Sequence, residues 1–203
     1  MRGVPDAPES RLLVADPEVL LDFPLSPATA FGGRFVAENI RDFRSAARHV
    51  MLLPYGRNSD RSDYRLVLEE GRGTCSTKHA LLAALAREYD RLVNLRLGIY
   101  EMDGLDTPGV GPVLLRYGMD FIPEAHCYLA YRGVRVDLTG AGERKTLAFL
   151  DEEEIEPSQI GAYKTERHRE FVRDWATARG LDPEMVWRAR EECIQALTAR
   201  DGA

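Results

Sequence analysis

A cysteine, a histidine and an aspartate, far apart in the chain, are the residues whose types and settings best suit covalent chemistry. Cys75 follows a glycine-containing turn and opens a helix-forming run, where the helix dipole favours a thiolate and lowers the thiol pKa. Its backbone N–H, unpaired at the helix start, is a natural donor to an oxyanion. The pattern predicts a nucleophile at this position, although a free cysteine is commonly just a small buried hydrophobe.

His126 and Asp137 lie on the two arms of a predicted β-hairpin. The strand-like runs that contain them flank the dipeptide Arg132-Gly133, which is a turn signal. If the turn centres on that dipeptide, Tyr128 opposes Asp137, and His126 lies on the same face. The imidazole and the carboxylate are then diagonal neighbours, roughly 7–8 Å apart by backbone and closer through their side chains. A turn with an odd number of residues would instead place them on opposite faces.

These three side chains predict a thiol-dependent site. An imidazole held by a carboxylate keeps one ring nitrogen protonated and presents the other to a thiol. We therefore expect Cys75 to be the nucleophile, His126 the acid and base, and Asp137 the group that orients the imidazole. The candidates for substrate or oxyanion contacts are Asn58, Tyr64 and Tyr128.

The same residues resemble motifs of the transglutaminase-like superfamily, the papain-like group that also includes the arylamine N-acetyltransferases. The matching pieces are G-x-C opening a helix at residues 73–75, H-x-aromatic on a strand at 126–128, and D-x-T at 137–139. The resemblance covers roughly residues 64–140. It implies a central helix that carries the nucleophile, an antiparallel sheet against which this helix packs, and a thioester intermediate. Lys78 stands where the acetyltransferases have an acidic residue, which argues against acetyl-CoA as a substrate.

Hydrophobic periodicity predicts the elements that must position these residues. Apolar residues recur at helical spacing over 35–53 and 75–89, and the second run begins with the nucleophile. Residues 93–102 alternate as a strand does, and 145–157 could supply one more. The Gly- and Pro-rich segment 103–122 predicts a long loop. We expect an α+β fold, in agreement with the helix on an antiparallel sheet that the resemblance implies.

The 203 residues are predicted to form one domain. Residues 1–34, which hold five of the eleven prolines, are expected to form an irregular arm, and 35–160 the catalytic core with a helical N-terminal segment. Residues 161–203 are expected to be a two-helix tail. In that tail one helix ends at Gly180, and Asp182 caps the next.

Composition and charge argue against several classes of partner. Hydrophobic residues make up 44% of the chain and charged residues 30%, as in a globule with a proper core. The net charge of -6 and the lack of a long Lys/Arg run argue against nucleic acid and anionic membranes. The sequence has no apolar run long enough for a membrane helix, so none is predicted. The N-terminus lacks the apolar block of a secretory signal. Three distant cysteines favour a reducing compartment, so a cytoplasmic location is expected.

A zinc site is an alternative use of the same residue types. His79 lies four residues after Cys75 on one helix face, and His126 and Cys127 could complete a set of four ligands. However, Cys127 must point away from the face of His126, and no CxxC or HExxH spacing supports a metal. We therefore expect neither a metal nor another cofactor.

The leading hypothesis is a cysteine enzyme that cleaves or transfers an acyl group from an amide substrate through a Cys75 thioester. The substrate would be a peptide or a small molecule with an amide bond. One alternative is a transglutaminase-like fold retained as a non-catalytic binding or scaffold module, and an intact triad argues against it. A second is an unrelated α+β domain in which the three residues fall in order by chance. The sequence leaves open the oligomeric state and whether water or an amine is the acceptor.

Overall fold

The computed structural model describes residues 12–140 and 145–201, and in this part of the chain seven helices pack around a six-stranded sheet. The strands are β1 (Leu12–Val14), β2 (Asn94–Asp103), β3 (Phe121–Tyr131), β4 (Val134–Val136), β5 (Lys145–Thr146) and β6 (Phe149–Ile155). The helices are α1 (Ala30–Ala37), α2 (Phe43–Leu52), α3 (Leu66–Glu70), α4 (Cys75–Arg87), α5 (Gly111–Tyr117), α6 (Ala162–Ala178) and α7 (Pro183–Asp201). The predicted α+β class is confirmed.

The sheet is mixed, with the strand order β5-β1-β4-β3-β2-β6. All of its pairs are antiparallel except β1 with β4, which run parallel. Within the described part of residues 1–34, the predicted irregular arm is wrong at its two ends, where β1 and the start of α1 lie, while most of the stretch between them is irregular. A three-residue strand is too short to show the alternation by which strands are recognised.

The β3–β4 hairpin has the predicted register. Leu129 pairs with the residue just before Asp137, so the connection is a two-residue turn. Its residues both have positive φ, 49° at Arg132 and 80° at Gly133, as the favoured hairpin turns require. Continuing the register by one pair brings Asp137 beside Tyr128, and hence onto the face of the strand that carries the histidine.

Helix α4 begins at Cys75, as predicted, and lies at the centre of the molecule. Its first turn is closed by two threonines, since the N–H of Thr74 donates to Oγ1 of Thr77 at 3.0 Å. Residues 76–86 are all buried between the sheet and α2. A helix that is covered on all sides must be largely apolar around its circumference, and the run ALLAALA meets that need.

The run at 35–53, predicted as one helix, is two. The chain leaves α1 through Asn39, whose φ is 64°, and starts again where Asp42 accepts the N–H of Ser45 at 2.8 Å. An aspartate at that position satisfies a donor that the first helical turn cannot. The apolar period continues across the break, which hid it from a pattern-based prediction.

The long loop predicted at 103–122 instead contains α5. Its Val113 and Leu114 are buried against α6 and α7. Pro112 lies in the first turn of α5, where backbone N–H groups have no partner within the helix, so the missing N–H of proline loses no hydrogen bond. A proline that favoured a loop in the sequence-based prediction is therefore part of the helix.

The two-helix tail follows the prediction and packs on the body of the molecule. Gly180, with φ of 69°, ends α6, and Asp182 accepts the N–H of Glu184 at 3.1 Å to begin α7. Both helices pack against β3, and α7 also packs against α5. Within the described residues, no helix is long and apolar enough to cross a bilayer.

Candidate active site

The structure brings Cys75, His126 and Asp137 together beside β3. Along β3, the pairing with β4 covers only the last three residues of the strand. The first residue of α4, Cys75, lies near the preceding stretch of β3, beside His126 and Cys127. Nε2 of His126 is 3.0 Å from Oδ2 of Asp137. The thiol of Cys75 lies close to the same imidazole, so that each group shifts the pKa of the other. Because Nε2 is held by the carboxylate, Nδ1 is the nitrogen that serves the sulfur.

The surroundings of the thiol favour a thiolate and an imidazolium. Burial raises the pKa of Cys75, but Lys164 and His126 outweigh it and lower that pKa to about 6. The nearby backbone N–H of Cys127 lowers the pKa of Cys75 as well. Burial lowers the pKa of His126, yet Asp137 and Cys75 outweigh burial and raise it to about 10. At pH 7 the pair is therefore ionised, which is the reactive form of a catalytic cysteine.

The carboxylate of Asp137 is fixed through both of its oxygens. Oδ2 faces His126, while Oδ1 accepts the backbone N–H of Thr139 at 3.0 Å and its hydroxyl at 2.5 Å. Burial would raise the pKa of Asp137, but the charge and the hydrogen bond of His126, together with the hydrogen bond from Thr139, hold it well below its usual range. The third residue of the D-x-T motif thus orients the acid, a role that its spacing alone does not show.

His79 lies beneath the site and is engaged through both ring nitrogens. Nδ1 is 2.7 Å from the carbonyl oxygen of Cys75, and Nε2 is 2.7 Å from the backbone N of Leu138. A carbonyl can only accept and an N–H only donate, so Nδ1 carries the proton and the ring is neutral. Burial lowers the pKa of His79 to about 4, in agreement with this. No ring lone pair is left for a metal ion.

Asn58, a candidate for oxyanion contacts, is committed to the loop before α4. Its Nδ2 donates to the carbonyl of Arg72 at 3.0 Å and to Glu70 at 3.2 Å. Its Oδ1 accepts the hydroxyl of Thr77 at 2.9 Å. Both amide hydrogens are therefore occupied, and the side chain holds the approach to Cys75 in place.

Tyr64, the second candidate, is not brought to the thiol. Its ring packs against Phe31 with the centroids 5.8 Å apart, and its charged neighbours include Arg87, at the far end of α4. The rise of an α-helix puts that end about 18 Å from Cys75. Tyr64 belongs to the core around the end of the helix.

Tyr128, the third candidate, forms a wall for the imidazole. Its ring lies 6.4 Å from that of His126 at an interplanar angle of 17°. The hydroxyl donates to Glu152, which Arg135 also binds at 2.8 and 2.6 Å. Because the hydroxyl is taken up by that carboxylate, Tyr128 positions the imidazole ring and has no donor to offer an oxyanion.

Two residues near the site were not singled out from the sequence. Tyr100 of β2 meets the ring of His126 edge-on, with the centroids 6.2 Å apart and an interplanar angle of 78°. Lys164 of α6 lies close enough to lower the pKa of Cys75. Alternation along β2 gives the face of Tyr100 once the pairing with β3 is known. No local pattern identifies Lys164, because its place depends on how the tail packs.

The assembled groups have the order that covalent acyl chemistry needs: thiolate, imidazolium, carboxylate. The N–H of Cys75 is in the first turn of α4, where helices leave their donors without internal partners. It is placed to receive negative charge that develops next to the sulfur.

Comparisons with protein-family models, with curated proteins and with solved structures find no match for this chain.

Proposed function

We propose that this protein is a transglutaminase-like cysteine enzyme, which cleaves or transfers an acyl group from an amide substrate through a thioester on Cys75. The observation that carries the proposal is the convergence of three side chains: His126 Nε2 is 3.0 Å from the carboxylate of Asp137, and the same imidazole lies close to the thiol of Cys75. An imidazole held in this way can give a proton to a leaving amine and take one from the next nucleophile.

The first half of the reaction forms the thioester. The thiolate of Cys75 attacks the amide carbonyl carbon, and the carbonyl oxygen becomes an oxyanion beside the N–H of Cys75. The C–N bond then breaks as Nδ1 of His126 passes its proton to the amine nitrogen. Each oxyanion donor in such sites contributes on the order of 3 kcal/mol to lowering the barrier.

The second half releases the acyl group. Water or an amine attacks the thioester carbonyl while His126, now neutral, accepts a proton from the attacking group. The sulfur leaves as a thiolate, which restores the starting ion pair with the imidazolium. Asp137 stabilises the imidazolium in both halves and keeps Nδ1 turned towards the sulfur.

The proposal is tested by trapping the acyl group on the protein. After incubation with p-nitrophenyl acetate, peptide mass spectrometry should find an acetyl group on Cys75 that hydroxylamine removes, as it does from thioesters. Cys75→Ala should carry none, and His126→Ala should acquire it far more slowly. Cys193→Ala, which changes a buried cysteine of α7, serves as the matched control and should behave as the wild type.

Two results would count against the proposal. Acetyl groups spread evenly over the three cysteines, or absent from Cys75, would leave no role for the ion pair. An adduct that forms on Cys75 but never turns over with any amine or with water would favour the non-catalytic module instead. A panel of N-acylated peptides and small amides, followed by release of the free amine, then separates hydrolysis from transfer.

A further inference from the structure

Helix α6 brings a lysine from the tail to the strand of the histidine. Nε2 of His168 donates to the carbonyl of Pro123 at 2.9 Å, and that carbonyl belongs to β3. Burial lowers the pKa of His168, so the ring in this contact is uncharged at neutral pH. Lys164 lies four residues earlier on α6 and therefore on the same helix face. The tail thus contributes a side chain to the site.

The ammonium of Lys164 is one side chain away from the sulfur. Its Nζ donates to Oγ of Ser76 at 2.8 Å, and that Oγ is 3.8 Å from Sγ of Cys75. Ser76 is only 6% exposed, so the contact lies in a place that water screens poorly. Attraction between opposite charges is stronger in such surroundings than in bulk water.

An acidic side chain near Lys164 is already paired with an arginine, so the ammonium of Lys164 interacts mainly with the thiolate. Glu124 of β3 is an acidic neighbour, but Arg190 of α7 binds both of its oxygens at 2.6 and 2.7 Å. Burial lowers the pKa of Lys164, whereas the negative charges of the Cys75 thiolate and of Glu124 outweigh burial and raise it, so the amine stays protonated. Among the described residues, the further titratable groups near the pair include His79 of α4, Tyr100 of β2, His126 of β3 and His168 of α6.

We propose that Lys164 is a positioning residue of this site, which holds a permanent positive charge beside the sulfur of Cys75 through its hydrogen bond to Ser76. The inference rests on the proposed cysteine-enzyme function and deepens it. His126 is neutral while the thioester exists, and the sulfur must then leave as an anion. A cation that never gives up its proton stabilises that anion throughout the cycle.

The test measures how the rate of Cys75 alkylation by iodoacetamide depends on pH, read from the Cys75 peptide. Lys164→Met removes the charge and keeps most of the side-chain length. In this variant the pH midpoint of Cys75 alkylation should rise by about 1 to 3 pH units. Lys164→Arg keeps a charge and should restore a midpoint near that of the wild type. Arg173→Met removes a charge from the exposed side of the same helix, with 60% of the side chain exposed, and should change nothing.

If Lys164→Met folds and its Cys75 alkylation has the same pH midpoint as the wild type, the inference is overturned. The proposed function would still stand in that case, provided that the wild-type midpoint is low and depends on His126. A wild-type midpoint near the ordinary cysteine value, about 8.5, would instead contradict the proposed function itself. Thermal unfolding shows whether Lys164→Met folds. If it does not, Ser76→Ala removes the hydroxyl that holds the ammonium, and an unchanged midpoint in that variant equally overturns the inference.

Discussion

His79 and Leu138 join the helix of the nucleophile to the segment of the acid. Nε2 of His79 accepts the backbone N–H of Leu138 at 2.7 Å, one residue after Asp137. The opposite ring nitrogen donates to the carbonyl of Cys75 at 2.7 Å. One neutral imidazole therefore sets the spacing between two members of the candidate triad without touching the reaction.

We expect His79→Phe to lower the free energy of unfolding at pH 8 by about 1–3 kcal/mol, because it leaves the buried N–H of Leu138 unpaired and removes the second hydrogen bond on the carbonyl of Cys75. The pKa of His79 is lowered to about 4 by burial. An unfolded histidine titrates near pH 6.5, so acid protonates the unfolded chain first, and the wild type loses this stabilisation between about pH 6.5 and 4. The difference between the wild type and the variant should therefore shrink over that range.

Urea denaturation at a series of pH values measures this difference. His49→Phe is the matched control, because His49 lies on α2 with 34% of its side chain exposed and should show little change. If the difference in unfolding free energy between the wild type and His79→Phe stays constant from pH 7 to pH 4, the His79 ring is not a neutral ring that makes both hydrogen bonds.

Asp137→Asn should lower the pKa of His126. Burial lowers the pKa of the imidazole, and the carboxylate is the largest of the influences that overcome burial and raise it to about 10. Removing the charge while keeping the shape should move the titration down by about 1 to 3 pH units. NMR of the imidazole nitrogens follows this directly, with Asp174→Asn, at an exposed position on α6, as the control. An unmoved His126 titration would mean that Asp137 does not hold the ring.

Gly98→Ala should disturb the wall behind the imidazole. Gly98 pairs with His126 across β2 and β3, and a methyl group there would run into the ring of Phe149 and approach Tyr128 at 3.3 Å. We expect a loss of about 1–3 kcal/mol in unfolding free energy from this overpacking. Gly140→Ala, where an added methyl group meets no atom of the described residues within 4 Å, is the matched control. Equal stability of the two variants would contradict the packing described for this wall.

Local patterns were enough to predict the hairpin and the start of the central helix. The register that brings Asp137 to the face of His126 follows from a two-residue turn and strict alternation, and both are properties of neighbouring residues. Cys75 opens α4 because Gly73 and Thr74 precede a long apolar run, which suits a helix that is buried on all sides.

The remaining features depend on contacts between distant segments. Strand β1 is three residues long and exists because β4 and β5 pair with it. The two hydrogen bonds of the His79 ring and the position of Lys164 both depend on tertiary packing. No spacing in the sequence predicts either of them. The candidates for substrate or oxyanion contacts were chosen from residue type and from their positions in the chain near Cys75 and His126. The hydrogen bonds of Asn58 and Tyr128 show other uses for those two side chains.

The most direct test of the central claim is the pH dependence of iodoacetamide labelling of the three cysteines in the wild-type protein. Cys75, with its pKa lowered to about 6 by Lys164 and His126 against the effect of burial, should react first and with a midpoint near that pH. Burial raises the pKa of Cys127 and of Cys193 to about 11, so both should stay unmodified. Slow labelling of all three at equal rates, or a Cys75 midpoint near about 8.5, would contradict the account.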